Sequence, residues 1–471
     1  MAVTLLAMLG CSGGGSGDAV SSSSTTATTA VRPTLTTTST TTTTVAPVVA
    51  GQAATATCPP VPVRAQPDSG RPRYELHVEV QPAAALVSGD LTVRFTPDVA
   101  TDRLVFRLWP NGPRLASTGA RLEAGPVRVD GRDPVEGQQP DPTTLVVPLG
   151  RSVPAGERIA ASMPWRLQLP GAVSDRISRI GDTVRLGSFF PILGWEPGFG
   201  WTTDPPTTNN AETSTVPTAD FEVDVTTTEG LQVFATGEET APGHWRATAV
   251  RDVHVVVGRF RVVRGLSAGV QVTVAVEGGV RDDPNSYLVP VVRAIDDMSR
   301  RFGPYPWPAY TLVVTPTLAG GIEYPMIVSQ GPGTQGRTTP HEVGHQWFYG
   351  LVGNNQGRDP WLDEGLATWA EVRVLGGLSS LVARPIPADA RARTGEPMTF
   401  WNGRSSYFRG VYIQGAQALA ALGDPDAVDC ALRIFVARNA YRVARVDDLA
   451  RSLETVFPDA RAVLGRFGVR Y

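Results

Sequence analysis

Two of the five histidines in this 471-residue chain stand four positions apart, in His341-Glu-Val-Gly-His345, and no other feature restricts the local fold as strongly. Positions i and i+4 share a face on an α-helix, so both imidazoles can reach one metal ion while Glu342 lies to the side of it. A third donor follows. Eighteen residues separate His345 from Glu364, which lies in Trp361-Leu-Asp-Glu-Gly-Leu-Ala-Thr-Trp369 and reads as the start of a second amphipathic helix. Two histidines and one carboxylate leave the fourth tetrahedral position open, the donor set of a catalytic rather than a structural zinc. The expected centre is therefore one Zn2+ ion held by His341, His345 and Glu364. Glu371 lies about two helical turns past Glu364 and reads either as a group orienting a histidine or as a surface charge. Gly344, inside the first helix, costs about 1 kcal/mol against Ala, so close packing is expected there, with a strand behind the metal as the neighbour.

Composition removes several competing functions. A net charge of −3 without blocks of like charge gives no footprint for nucleic acid. Every one of the 42 basic residues is arginine, which excludes a catalytic lysine and reads as the coding bias of a GC-rich genome. The three cysteines, Cys11, Cys58 and Cys430, are too few for a disulfide scaffold and are not spaced as zinc ligands. Whether Cys58 and Cys430 pair stays open.

Four segments follow one another along the chain. Residues 1–11 are short and apolar, end at Cys11, and resemble a bacterial lipoprotein signal with Cys11 as the lipidated residue. A plain apolar N-terminus is the alternative. Residues 12–70 are dominated in their first part by Ser, Thr, Gly, Ala and Val, and read as a tether that could carry sugars. This combination predicts a membrane-anchored or cell-envelope protein outside the cytoplasm. Residues 71–265 carry short period-two segments such as Tyr74–Val80, Asp90–Phe95, Phe221–Val225 and His254–Val257, the pattern of antiparallel sheet. The stretch Gly194–Pro206, with Trp195, Phe199 and Trp201 among glycines and prolines, reads as an ordered loop near the catalytic part. Residues 266–471 open with strand patterns at Val270–Val276 and Tyr310–Val314 around a helical stretch from Asn285 to Phe302, and continue mainly helical. No run is long and apolar enough to span a bilayer.

With these motifs the chain resembles the gluzincin aminopeptidases related to aminopeptidase N and leukotriene-epoxide hydrolase. The resemblance rests on His341-Glu-Val-Gly-His345, the 18-residue gap and Trp361-Leu-Asp-Glu364-Gly, with agreement in Gly320-Gly-Ile-Glu-Tyr-Pro325 and Val411-Tyr-Ile-Gln-Gly-Ala416. It implies an α+β protein, with a saddle-like antiparallel β domain followed by a thermolysin-like, mainly helical peptidase domain. The short stretch after Tyr412 implies a form without the C-terminal helical domain of larger relatives, and hence an open cleft. Residue by residue, the family implies that Glu323, with Gly320 and Gly321, binds the substrate's amino end on an edge strand, that Tyr412 stabilises the oxyanion, and that Tyr407 lines the same pocket. Read without the family, Glu323 also fits a solvated edge charge and Tyr412 a core aromatic. Tyr324 and Pro325 depart from the family pattern and put recognition of the amino end in question.

The implied activity is zinc-assisted hydrolysis of peptide bonds, with Glu342 as general base and then general acid. The partner is a peptide or protein, and release of N-terminal residues is the leading expectation. An endopeptidase or other zinc hydrolase with an open cleft is the alternative, followed by an inactive cell-surface binding scaffold. Oligomeric state and side-chain preference are not readable from the chain.

Overall fold

A computed structural model describes residues 58–209 and 215–471; the segments expected as signal and as most of the tether lie outside the described residues. Burial alternates along the first strand, Arg73–Gln81, where Tyr74, Leu76, Val78 and Val80 are buried and their neighbours face solvent. This is the period-two signature of a sheet with one wet face. The strand is central in an eight-stranded sheet flanked by Leu86–Phe95 and Ala219–Thr227. All pairings in that sheet are antiparallel except Arg73–Gln81 with Ala219–Thr227, which is parallel. The apolar side chains of two four-stranded sheets share one core with it.

A five-stranded sheet then carries the second half, in the order Phe260–Ser267, Val270–Glu277, Ala309–Val314, Ile327–Gln330, Gly321–Tyr324. Because Phe260–Ser267 pairs with Val270–Glu277 as a hairpin, this sheet begins a few residues before the division expected at 266. Gly321–Tyr324 pairs on one side only, with Ile327–Gln330, and forms the sheet's edge.

Two helices pack against this sheet, α1 (Asn285–Phe302) and α2 (Thr338–Gly344), and α3 (Trp361–Leu375), α4 (Gln414–Ala420) and α5 (Pro425–Asn439) pack on helices in turn. Two helices differ from the sequence expectation. α2 ends at Gly344, so His345 is its C-terminal cap, held by a backbone bond from its N–H to the carbonyl of His341. α3 is not amphipathic: thirteen of its residues, Trp361 to Glu371 without a break among them, are buried. An apolar residue on every face is the mark of a helix enclosed by protein.

The segment Gly194–Pro206 is ordered as expected but contains a small hairpin, Trp195–Glu196 with Gly200–Trp201. It does meet the helical half: Glu196 bonds Arg358 at 3.2 Å and Arg445 at 2.7 Å. Cys58 and Cys430 form a disulfide that joins the start of the described chain to α5, and the backbone N–H of Ala65 donates to the carbonyl of Ala437 at 2.8 Å. No helix among the described residues is long and apolar enough to cross a membrane.

Candidate metal centre

α2 and α3 cross so that His341, His345 and Glu364 bring their donor atoms together. The two Nε2 atoms are 3.2 Å apart, and Glu364 Oε2 lies 3.2 Å from that of His341 and 3.5 Å from that of His345. All three residues could hold one ion, and all are at most slightly exposed. Each histidine turns its other nitrogen to a carboxylate: His345 Nδ1 to Asp363 Oδ1 at 2.6 Å, and His341 Nδ1 to Glu371 Oε2 at 3.5 Å. Such pairings orient imidazoles towards a metal and leave their Nε2 lone pairs for it. Two facing imidazole nitrogens and a carboxylate suit a divalent cation better than they suit one another, so the donors fit zinc.

Electrostatics point the same way. Burial works against a charged His341, yet the hydrogen bonds it donates to Glu364 and Glu371 push it up to about 9. Burial alone would raise Glu364, but its bonds to the two histidines hold it well below the usual carboxylate range. These are the shifts of a cationic and an anionic group held together, the situation a shared cation resolves. Glu371 is 3% exposed, which settles its reading as a buried partner of His341; its other oxygen accepts from Arg337.

Glu342 leaves the side of α2 and lies against the edge strand. A side chain at Gly321 would collide with its carboxylate, while nothing lies within 4 Å of the position a Cβ would take at Gly320. Burial pushes Glu342 up to about 8, and its Oε2 has no hydrogen-bond partner among the described residues. Glu323, Glu342 and His345 also form a close group, and Glu323 Oε1, likewise buried, lacks a hydrogen-bond partner among the described residues. Tyr412 sits in a π-helical turn, Arg409–Ile413, that runs into α4, and its hydroxyl donates to Glu364 Oε1 at 2.5 Å. π-turns recur at functional sites, where the extra residue re-aims a side chain. Tyr407 packs edge-on against Tyr412 at 5.6 Å between ring centroids.

Comparison with known proteins shows what this geometry is similar to. Residues 334–463, which contain all three donors, Glu342, Tyr407 and Tyr412, match the model of the peptidase family M1 domain. That segment is similar to an M1 peptidase domain. Aminopeptidase M1-B of Oryza sativa subsp. japonica is 30% identical over 135 residues, covering 25% of this chain and 15% of that protein. Aminopeptidase B of Homo sapiens is 28% identical over 190 residues, covering 34% of this chain and 29% of that one. The chain thus spans well under half the length of these relatives. An M1 zinc metallopeptidase from Deinococcus radiodurans has the same fold over 86% of this chain and 96% of its own, with a TM-score of 0.63 and 19% identity. A two-domain M1 zinc metallopeptidase variant bound to L-arginine gives a TM-score of 0.64 at 19% identity, over 84% of this chain and 93% of that one. The α+β fold, with a β-rich first part and a helical second part, is that of two-domain M1 zinc peptidases.

Around the donors the structure corrects two sequence expectations. The neighbour of Gly344 is α3, not a strand: an added Cβ would lie 3.2 Å from Ala370 Cβ and 3.3 Å from Ala367 Cα. Tyr324, whose departure from the family pattern put the amino-end site in question, does not face that site. Successive strand residues point to opposite faces. With Glu323 towards the metal donors, Tyr324 turns to the β half, stacks on His254 at 4.7 Å, and shares a hydrogen bond with Ser188 at 3.0 Å.

Two further features went unread. Asp363 bonds His345 and accepts from Gln356 Nε2 at 2.7 Å, so it fixes the imidazole; its position beside Glu364 in an acidic first turn was the available signal. Arg176, from the β half, reaches the edge strand: its guanidinium lies 3.8 Å from Glu323 and bonds the Tyr324 hydroxyl at 3.3 Å. No local pattern marks that contact, which joins residues almost 150 positions apart.

Proposed function

We propose that the chain is a zinc-dependent aminopeptidase, releasing N-terminal residues from peptides. The observation that carries this reading is the meeting of His341, His345 and Glu364 beside two buried carboxylates, Glu342 and Glu323, each with an oxygen lacking a hydrogen-bond partner among the described residues. When bound there, zinc supplies Lewis acidity and makes water a stronger acid.

The chain's own residues do the remaining work. Glu342, whose carboxylate is made more basic by burial, takes the proton of the attacking water and passes it to the leaving amine. Tyr412 donates to the oxygen on which negative charge develops, exchanging its bond to Glu364 for one to the substrate. The substrate adds as a further strand along Gly321–Tyr324, and Glu323 meets its α-ammonium. Gly320 and Gly321 leave room for that backbone, and Tyr407 walls the pocket beside Tyr412.

A location outside the cytoplasm, with lipid at Cys11 and a tether that ends before Cys58, where the chain is fastened to the helical half, belongs to the same proposal. The Cys58–Cys430 disulfide supports it, since such bonds persist in oxidising compartments. The deciding experiment combines metal analysis with Glu342→Gln. Zinc retained at one ion per chain with turnover lost is the expected result; unchanged turnover would remove Glu342 from the mechanism. N-acetylated peptides cut as fast as free ones would point to an endopeptidase instead.

A further inference from the structure

Besides His341, His345 and Glu364, a second set of donors meets at this centre. Glu323, Glu342 and His345 each bring one ligand atom within 4.8 Å of the others, and all three side chains are buried. Strand geometry creates the carboxylate pair. Residues 321 and 323 share one face of the edge strand, and Gly321, lacking a Cβ, lets the carboxylate of Glu342 lie against that face beside Glu323. Glu323 Oε1 and Glu342 Oε2 are buried without a hydrogen-bond partner among the described residues. Two carboxylates so placed call for a cation, because their charges repel and neither can donate to the other.

The charge balance of the centre points the same way. Five buried carboxylates, Glu323, Glu342, Asp363, Glu364 and Glu371, meet two guanidinium groups, Arg176 at 3.8 Å from Glu323 and Arg337 on Glu371. With both histidines neutral, one Zn2+ leaves these groups with a surplus of one negative charge. A substrate's α-ammonium cancels it.

We propose that, without substrate, a second divalent cation binds between Glu323 and Glu342 and inhibits the enzyme by competing with the substrate's amino end. The inference rests on the reading of Glu323 as the ammonium-binding group and gives that group a rival occupant. His345 belongs to both donor sets, but its Nδ1 is taken by Asp363, so its remaining nitrogen goes to the first ion. The second ion has two carboxylates and water as ligands, an all-oxygen set that suits a hard or borderline dication and holds it more weakly than the first. It also ties up Glu342, the base that must take the water's proton. Because ion and ammonium exclude each other, the ion raises the apparent KM, and saturating substrate restores kcat.

The test titrates free Zn2+ against the full chain already loaded with one ion, counting bound metal by equilibrium dialysis and following hydrolysis of a leucyl coumarin amide. Expected is a second zinc per chain at higher free zinc, with apparent KM rising over the same range and kcat unchanged. Glu323→Gln should keep the first ion and weaken the second by at least about 10-fold, since losing a direct ligand costs no less than losing an outer partner. A count that stays at one zinc, inhibition that lowers kcat instead of raising KM, or a second ion held as tightly by Glu323→Gln each overturns the proposal. The wild-type metal count and kinetics need no variant, so a poorly folding Glu323→Gln does not remove the test. Failure of the aminopeptidase reading shows separately, as equal cleavage of an N-acetylated substrate, and leaves the metal count untouched.

Discussion

Gly415→Ala tests how tightly the fold holds Tyr412 against the metal donors. α4 crosses α3 where Gly415 faces Gly365, and a Cβ on Gly415 would lie 3.0 Å from Gly365 Cα. Carbon atoms rest at about 3.5–4.0 Å, so the helices must part by roughly 0.5–1 Å. Overpacking of this kind costs about 1–3 kcal/mol, while replacing a helical glycine by alanine returns about 1 kcal/mol. The net loss is about 0–2 kcal/mol, and for a chain this large each kcal/mol moves Tm by no more than about 2–4 °C. Activity is the sensitive readout. Tyr412 lies just under one helical turn before Gly415, so the shift carries its hydroxyl away from Glu364 and from the substrate oxygen. A misplacement of about 1 Å is enough for a loss of up to about 100-fold. The expected result is kcat down by about 10–100-fold at nearly unchanged KM, with a Tm shift of a few degrees. Gly465→Ala, where nothing lies within 4 Å of the added Cβ, serves as the control. Wild-type kcat in Gly415→Ala, with the zinc content intact, would refute the claim that this glycine contact positions Tyr412.

Three further outcomes are expected. Asp363→Asn keeps the shape but removes the charge behind His345, and chelator competition should show zinc held about 10–100-fold more weakly; unchanged retention would make Asp363 a mere neighbour. Gly344→Ala should lower stability by about 1 kcal/mol or more in urea unfolding despite its better helix propensity, because the added methyl meets Ala367 and Ala370; a gain in stability would mean that the two helices separate freely. Burial pushes Asp252, which accepts from Ser188 and from the N–H of Val253, from 3.8 up to about 6. Its folded value lies above the unfolded one, so its contribution is complete below about pH 4 and is lost as pH rises through 6. Asp252→Asn should therefore gain on the wild type by up to about 3 kcal/mol between pH 5 and 8 in urea unfolding, and parallel stability curves would sink the argument.

Local patterns carried much of this protein. Period-two burial in Arg73–Gln81 and the helical stretch Asn285–Phe302 were both readable because they depend on neighbours a few residues away, whereas the edge position of Glu323 came from the family resemblance. The metal donor set was readable too, since His341 and His345 share one helical turn and Glu364 opens the next long helix. Where the signal is spacing along a helix or strand, backbone geometry translates it directly into position.

What the sequence left undecided depends on surfaces that meet only after folding. α3 read as amphipathic because charged residues dot it, yet Asp363, Glu364 and Glu371 are all buried, facing histidines that another helix supplies. The neighbour of Gly344 was taken for a strand because a glycine announces a close approach without saying to what. Tyr324 looked like damage to the amino-end site; strand alternation turned it to the far face, where it anchors Arg176 from the other half of the molecule. By itself the sequence determined a metal-binding pair on one helix, a third donor downstream and a β-rich half ahead of them. Only the tertiary structure decided which carboxylates stand behind the histidines and which cation stands beside Glu323. Those contacts join residues far apart along the chain, and no period in the sequence encodes them.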